Sequence, residues 1–135
     1  FYYDCDRLGM IVFQDMVNCG DYSFLRDTAL PTIGLKRKND KNIHKNAEMR
    51  REFINCMEKT VGRLDFHPSV CYWTIFNEGW GQFTADKVYE IAKSIDRTRI
   101  FDATSGWFRQ KKSDVFSHHV YFKKLKVKPK CVLHE

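Results

Sequence analysis

One stretch near the middle of the chain limits the possible folds more than any other. Residues 70–76 are mostly apolar, aromatic or β-branched, and Asn77, Glu78 and Gly79 follow them directly. A continuous apolar run of this length is typical of a parallel strand that is buried on both faces and has polar residues only where it ends. The sequence therefore predicts a parallel α/β sheet with a functional site after this strand.

The polar groups after this strand suit carbohydrate chemistry. A carboxyl group such as that of Glu78 can protonate a glycosidic oxygen, and the amide of Asn77 can hold a sugar hydroxyl. The indole of Trp80 offers a flat apolar face to a sugar ring. An Asn-Glu pair by itself is a weak signal, and an ordinary barrel strand followed by a solvated loop is the alternative interpretation of that pair.

Hydrophobic periodicity predicts an alternation of helices and strands along the chain. Helices are predicted over residues 1–8, about 46–64 and 84–95. Strands are predicted over residues 10–13, 70–76, 99–101, 115–117 and 131–133. Thr84 is expected to cap the third helix, and a long polar loop is expected after the first strand. Alternating elements of this kind indicate a parallel sheet covered by helices.

Composition favours a globular domain over a disordered or membrane-spanning one. Hydrophobic residues make up 43% of the chain, aromatic residues 15% and charged residues 30%. This mixture does not favour disorder, and no apolar run approaches the length of a membrane span. The five cysteines form no Cys-x-x-Cys pair, so we expect reduced, buried thiols and a cytoplasmic location.

The net charge of +6 is one reason to consider nucleic-acid binding. The basic residues cluster at residues 36–45 and 123–130, in predicted loops or exposed helix ends. Neither cluster alternates with an aromatic platform, and no helix-turn-helix or zinc-finger spacing is present. A solvated surface explains the charge better, so we expect neither a nucleic-acid nor a membrane partner.

Three segments resemble glycoside hydrolase family 2, the family of β-galactosidases, β-glucuronidases and β-mannosidases. Residues 67–80, which run from His-Pro-Ser to Asn-Glu-Gly-Trp, resemble the strand that carries the acid/base residue. Residues 1–15 resemble a helix and the third strand of the catalytic barrel, and residues 128–135 resemble the seventh strand, which ends in the nucleophilic Glu. The segments follow the order of the family, so the resemblance covers nearly the whole chain.

The resemblance implies an α/β fold, a partial (β/α)₈ TIM barrel from roughly helix 2 to strand 7. A complete barrel needs about 250 residues, whereas this chain has 135. Residues 1–135 are therefore expected to be a fragment of a glycoside hydrolase catalytic domain, with exposed sheet edges and flanking β-sandwich domains in the parent chain. We expect the fragment alone to have little or no activity, because small misplacements of catalytic groups are costly.

The resemblance also implies roles for the residues at the strand ends. Glu78 corresponds to the general acid/base and Glu135 to the nucleophile of a retaining β-glycosidase, which uses a double-displacement mechanism. Asn77 would hydrogen-bond the sugar 2-hydroxyl. Tyr121 would orient the nucleophile, although a core aromatic residue is an equally good interpretation. His119 would contact the carbohydrate substrate.

Further aromatic and polar residues are weaker candidates. Trp80 and Trp107 lie beside glycines in predicted loops and offer stacking surfaces, whereas Trp73 lies within a strand and is expected in the core. Asp15 is either a ligand of a sugar hydroxyl or a structural residue in an ion pair. His118 is expected in the packing, because adjacent strand residues face opposite sides.

The chain departs from the family pattern at two places. β-Galactosidases of the family carry a further Glu and His for Mg²⁺ after the third strand, and residues 16–20 supply neither. We therefore expect no metal and no cofactor. His134 precedes Glu135 where Ser is usual. The sugar and the linkage stay open.

Two alternatives to a retaining exo-β-glycosidase remain. One is a non-catalytic carbohydrate-binding or structural barrel fragment. The other is an endo-glycanase of a related barrel family, which also carries Asn-Glu after strand four and Glu after strand seven. Both carboxyl positions are occupied, which favours an enzyme, and the spacing within residues 67–80 together with residues 1–15 favours family 2.

Overall fold

The elements of the chain alternate between helices and parallel strands. The computed structural model describes residues 1–18, 20, 22–33, 39–121 and 124. In chain order, the elements in these residues are α1 (Tyr2–Leu8), β1 (Val12–Asp15), a π-helical turn (Leu25–Ala29), α2 (Leu30–Thr32), α3 (Ala47–Leu64), β2 (Val70–Asn77), α4 (Ala85–Ile95) and β3 (Ile100–Ser105). The strand predicted at residues 131–133 lies outside the described residues.

β2 is the central strand of the described sheet. It pairs in parallel with β1 on one side and with β3 on the other. Trp73, Ile75 and Phe76 are buried, as expected for a strand that is covered on both faces. Phe76 stacks on Phe53 of α3 with 4.9 Å between the ring centroids. The apolar run therefore forms the predicted strand, and Trp73 lies in the core as predicted.

Helix α3 forms where the periodicity predicts it. The side-chain oxygen of Asn46 accepts hydrogen bonds from the N–H groups of Glu48 and Met49, which satisfies the first turn of the helix. Phe53 and Met57, four residues apart, are buried against the sheet. The helix boundaries therefore follow from local sequence alone.

Helix α1 ends as predicted, but β1 begins two residues later than predicted. Gly9 adopts a φ of 65°, and the N–H of Met10 donates to the carbonyl of Cys5 at 2.9 Å. This is the Schellman pattern of a helix end, and it uses Met10 in the turn. β1 consequently starts at Val12 and includes Asp15.

Helix α4 begins at the predicted place with a different cap. Among the described residues, the Thr84 side chain makes no cap hydrogen bond, so that prediction is wrong. Instead, the buried carboxylate of Asp40 accepts from the N–H of Ala85 at 2.7 Å and from the amide of Gln82 at 3.0 Å. A residue distant in sequence therefore holds the start of the helix.

Two predictions for connecting segments are wrong. The expected polar loop after β1 contains the π-helical turn and α2. Residues 115–117 form no strand, and β3 extends to Ser105. The outer edge of β3 is bonded by side chains instead, because the N–H of Phe101 donates to Asp114 and the N–H of Ala103 donates to Ser113, each at 2.9 Å.

The expectation of buried thiols is met only in part. Cys5 is buried, Cys56 is half-buried and Cys71 is exposed, and all three are free. Cys71 lies where the register between β1 and β2 shifts, which explains its departure from the alternation of a regular strand. Cys19 and Cys131 lie outside the described residues.

Arg99 connects the chain segments that enter β2 and β3. Its guanidinium donates to the carboxylate of Asp96 at 3.0 Å. It also donates to three main-chain carbonyls, those of Asp65, His67 and Val70. This guanidinium thus satisfies main-chain carbonyls between the end of α3 and the first residue of β2.

Asp96 is the buried anion beside this guanidinium. Burial would raise the pKa of Asp96, but hydrogen bonds from Thr98, Trp73 and Arg99 outweigh burial and hold that pKa well below its usual range. The indole N–H of Trp73 donates to Asp96 at 3.0 Å. A polar network therefore anchors the largest side chain of the core.

The His-Pro-Ser segment holds the start of β2 against α1. The Nδ1 atom of His67 lies 2.6 Å from the carboxyl of Asp6, and the N–H of Ser69 donates to the same carboxyl at 2.9 Å. The hydrogen bonds from His67 and Ser69 lower the pKa of Asp6 to about 2. Two segments that carry the family resemblance therefore bind each other.

Arg99→Ala is expected to destabilise the protein by roughly 3–5 kcal/mol, because the buried Asp96 carboxylate loses its cation. Urea unfolding followed by tryptophan fluorescence measures the free energy of unfolding. Arg97 is exposed in the same loop, so Arg97→Ala is the matched control and should change stability by less than about 0.5 kcal/mol. Equal losses in the two variants would contradict the role of Arg99.

Asp6→Asn should weaken the dependence of stability on acid pH. The pKa of Asp6 is about 2 in the folded protein and about 3.9 in an unfolded chain. Its stabilising contribution is therefore present above about pH 4 and lost as the pH falls towards about 2. Urea unfolding across this window should show a smaller loss for Asp6→Asn than for the parent.

Asp4→Asn serves as the control for this pH experiment. Asp4 lies on the same helix, and 64% of its side chain is exposed. Its variant should retain the pH dependence of the parent. Parallel curves for the parent and Asp6→Asn would show that the contacts of Asp6 with His67 and Ser69 do not contribute to folding.

Candidate active site

β2 ends in a turn that holds Glu78 at the edge of the sheet. Glu78 and Gly79 have positive φ angles of 53° and 74°, and the N–H of Trp80 donates to the carbonyl of Asn77 at 3.0 Å. The N–H of Glu78 still donates to the carbonyl of Ser105 in β3 at 2.8 Å. A positive φ is strained for a glutamate, and such strain concentrates at functional sites.

Two side chains hold the carboxyl group of Glu78. The Nδ1 atom of His119 lies 2.8 Å from Oε1 of Glu78, and the hydroxyl of Tyr121 donates to the same oxygen. The hydrogen bond to Glu78 raises the pKa of Tyr121 above its ordinary value. The side chain of Glu78 is 19% exposed, so its carboxyl is held yet open to solvent.

A chain of hydroxyl groups leads from His119 into the core. The Nε2 atom of His119 lies 3.0 Å from Oγ of Ser105, and this oxygen lies 3.1 Å from Oγ of Ser117. The hydroxyl of Ser117 donates to the carboxylate of Asp102, which is 1% exposed. The hydroxyl of Tyr72 donates to the same carboxylate at 3.0 Å, and burial, followed by the charge of Asp102, raises the pKa of Tyr72.

Glycines provide the space for these contacts. Gly106 has a φ of 81°, and a Cβ added there would lie 2.4 to 2.8 Å from three atoms of the His119 ring. Gly79 is similar, because an added Cβ would lie 1.9 Å from the ring of Phe108. A side chain at Gly106 would displace the ring of His119, and one at Gly79 would displace the ring of Phe108.

The two tryptophans in the loops take different positions. Trp107 meets Tyr121 edge-on with 6.4 Å between ring centroids, which brings it beside a residue that bonds Glu78. Trp80 is 45% exposed and packs on Tyr22, with 5.1 Å between ring centroids. Trp107 is half-buried and Trp80 is exposed, so each indole retains some accessible apolar surface, which sugar stacking requires.

The remaining predicted residues divide into three cases. Asn77 and Asp15 are exposed at the carboxyl ends of β2 and β1. His118 is also exposed, so its predicted packing position is wrong, because residues 115–121 form no strand of the sheet. Glu135 lies outside the described residues, and its position opposite Glu78 stays a prediction.

Sequence reasoning did not single out Ser105 or Ser117. Each is a small hydroxyl residue, a type that occurs commonly in loops and at strand ends, and neither belongs to a recognised motif on its own. Their positions beside Gly106 and two residues before His119 are the signals that could have identified them. Their hydrogen bond becomes visible only when the fold brings the two segments together.

Neither a metal-binding cluster nor a membrane-spanning helix occurs among the described residues. No group of three or more His, Cys, Asp or Glu side chains that could hold a metal ion is found among them. Within the same residues, no helix is both long enough and apolar enough to cross a membrane.

Comparison with known families identifies the class of the protein. The chain matches the family described as Glycosyl hydrolases family 2, TIM barrel domain, over residues 1–130. Because this match covers nearly the whole chain, the protein belongs to glycoside hydrolase family 2, and the resemblance noted in the sequence is confirmed. The described parallel α/β sheet is consistent with part of such a barrel. A search of curated proteins finds no match.

Gly106→Ala should displace His119 from Glu78 and destabilise the protein by about 1–3 kcal/mol, because it combines an unfavourable φ with a steric clash. Thermal unfolding and the side-chain ¹⁵N signals of His119 measure the two effects.

Gly62 provides the control for this substitution. It is exposed in α3, and an added Cβ there meets nothing within 4 Å. Gly62→Ala should therefore stabilise the protein by about 0.5–1 kcal/mol. Unchanged His119 signals in Gly106→Ala would contradict this account.

Proposed function

We propose that this protein is a retaining β-glycosidase in which Glu78 is the general acid/base and Glu135 is the nucleophile. The observation that carries the proposal is the setting of Glu78 in a family 2 glycoside hydrolase chain. Its carboxyl stands after a central parallel strand, is partly exposed and contacts His119 and Tyr121. Carboxyl groups with this combination of access and hydrogen bonding suit proton transfer.

The proposed reaction has two steps. In the first step, Glu78 donates its proton to the glycosidic oxygen while the carboxylate of Glu135 attacks the anomeric carbon, and the bond to the leaving group breaks. In the second step, Glu78 takes a proton from water, the water oxygen attacks the anomeric carbon, and the bond to Glu135 breaks. Two inversions give a product with the β configuration, and the two carboxyl groups must lie about 5–5.5 Å apart.

His119 and Tyr121 act differently on the two states of Glu78. The hydroxyl of Tyr121 donates to the carboxyl, which favours the ionised form needed in the second step. The Nδ1 atom of His119 can accept a hydrogen bond from the carboxylic acid, or donate one to the carboxylate when the ring is charged. His119 can therefore support Glu78 in both steps.

The carbohydrate would bind around this carboxyl group. Trp107 and Trp80 offer apolar faces to sugar rings, and Asn77 would hydrogen-bond the 2-hydroxyl. Asp15 would accept a hydrogen bond from another hydroxyl. The proposal places residues 1–135 between roughly helix 2 and strand 7 of the catalytic barrel, within a longer chain that carries flanking β-sandwich domains.

Variants of the two glutamates should fail in different ways in the complete enzyme. Glu78→Ala should lower turnover of substrates with poor leaving groups by roughly 10²–10⁴-fold, but activated aryl glycosides should still form the intermediate. Azide should then restore turnover with a β-azide product. Glu135→Ala should block the intermediate with every leaving group, and azide should give only the α product. Proton NMR of the products measures the configuration.

Glu58→Ala is the control for loss of a glutamate. Glu58 is exposed on α3, away from the proposed site, and its variant should keep the activity of the parent. An α-azide product from Glu78→Ala would reverse the two roles. Full activity of Glu78→Ala or Glu135→Ala would overturn the proposed function.

A further inference from the structure

We propose that the buried carboxylate of Asp102 fixes the proton of His119 on Nε2, acting through the hydroxyl groups of Ser117 and Ser105. In this arrangement the Nδ1 atom of His119 is left to share the proton of Glu78. Asp102, Ser117 and Ser105 are positioning residues, since they act on Glu78 only through His119. The catalytic consequence rests on the proposed function of Glu78, whereas the proton position does not.

The direction of the hydrogen bonds starts at Asp102. Its carboxylate receives bonds from the hydroxyl groups of Ser117 and Tyr72 and from the N–H of Thr104. An ionised carboxylate can only accept hydrogen bonds, and the three donors directed at Asp102 suit such a group. The single hydroxyl hydrogen of Ser117 is therefore committed to Asp102.

The next link is the pair of serines. The oxygen of Ser117 also accepts from the N–H of Gly106 at 3.1 Å. Because the hydrogen of Ser117 points to Asp102, the contact of 3.1 Å between the two hydroxyl oxygens requires Ser105 to donate. Ser105 then has no hydrogen left for His119, so its oxygen accepts from Nε2 of the ring, 3.0 Å away.

The last link is the ring of His119. With a hydrogen on Nε2, a neutral ring has a lone pair on Nδ1, which lies 2.8 Å from Oε1 of Glu78. A protonated Glu78 can donate to that lone pair, and the hydroxyl of Tyr121, 3.5 Å from Nδ1, is a second and more distant donor. If the ring is charged, Nδ1 donates to a carboxylate instead. In both pairings of His119 with Glu78, which is the shorter contact of Nδ1, one proton lies between the two side chains, where the first step of glycoside hydrolysis needs it.

Other titratable groups also face this chain of hydrogen bonds. Tyr121 contacts Glu78 beside His119, and Tyr72 of β2 contacts Asp102 at the far end. The charge of Asp15 on β1 also acts on Tyr72. Asp102 is the group whose acceptor-only character sets the direction of the serine hydroxyls.

Asp102→Asn in the intact protein tests the inference, because an amide of the same shape can donate to Ser117 and reverse the chain. Side-chain ¹⁵N–¹H NMR reports which nitrogen carries hydrogen. In the parent, Nε2 of His119 should carry hydrogen throughout the titration. In Asp102→Asn, the neutral ring should carry it on Nδ1. A neutral ring with hydrogen on Nδ1 in the parent, or an unchanged tautomer in the variant, would overturn the inference.

Two substitutions of Ser117 test the same chain independently. Ser117→Ala should release Ser105 to donate to His119 and should move the hydrogen to Nδ1, whereas Ser117→Thr keeps a hydroxyl and should preserve the parent tautomer. Ser94 is exposed on α4, so Ser94→Ala controls for loss of a serine hydroxyl. The inference fails if Ser117→Ala and Ser94→Ala give the same His119 signals as the parent.

The pH dependence of glycosidase activity distinguishes a failure of this inference from a failure of the proposed function. In Asp102→Asn, Glu78 loses an acceptor for its proton, so the basic limb of the kcat/KM profile should move to lower pH by about one unit. A changed tautomer with an unchanged profile would overturn the catalytic consequence while the proposed function stands. Absence of glycosidase activity in the complete enzyme without substitutions would overturn the proposed function, and the NMR result would still decide the position of the proton.

Discussion

The parallel pairing of β2 with a strand on each side is the interaction on which the described structure depends. Both edges of β2 are hydrogen-bonded and residues 73–76 are buried, so the polar side chains of Asn77 and Glu78 become accessible where the strand ends. Asp6 and Arg99 hold the chain at the entrance to β2. At the other end, Asn77 pairs with Ser105 of β3. This pairing determines where Glu78 stands relative to the residues that follow β3.

The fold was predictable from sequence where its causes are local. The apolar residues of α3 and the cap at Asn46 lie within the helix or next to it, and the buried run of β2 is continuous. The cap of α4 was not predictable, because Asp40 is 45 residues away from the N–H group that it binds. The outer edge of β3 is a similar case, since the side chain of Asp114 replaces the strand expected at residues 115–117.

The residues of the candidate site also divide into those that sequence predicts and those that only the fold brings together. The strand end indicated Glu78, and the family resemblance indicated His119 as a substrate contact and Tyr121 as a residue that orients the nucleophile. The structure brings both side chains to one oxygen of Glu78 instead. Neither source indicated Ser105 or Ser117, because their importance comes from a contact between two segments and from the space that a glycine leaves for the ring of His119. Periodicity failed for His118 because the segment is not a strand.

Two features of the described structure that cost free energy are joined by one chain of hydrogen bonds. Asp102 lies within β3 between the fully buried residues Phe101 and Ala103, where an apolar side chain would avoid the free-energy cost of a buried carboxylate. Glu78 adopts a backbone conformation that a glycine would adopt with less strain. Conflicts between local preference and fold concentrate at functional sites. Because one chain of hydrogen bonds joins these two residues, the proposed role of Glu78 in proton transfer would account for a carboxylate in the core.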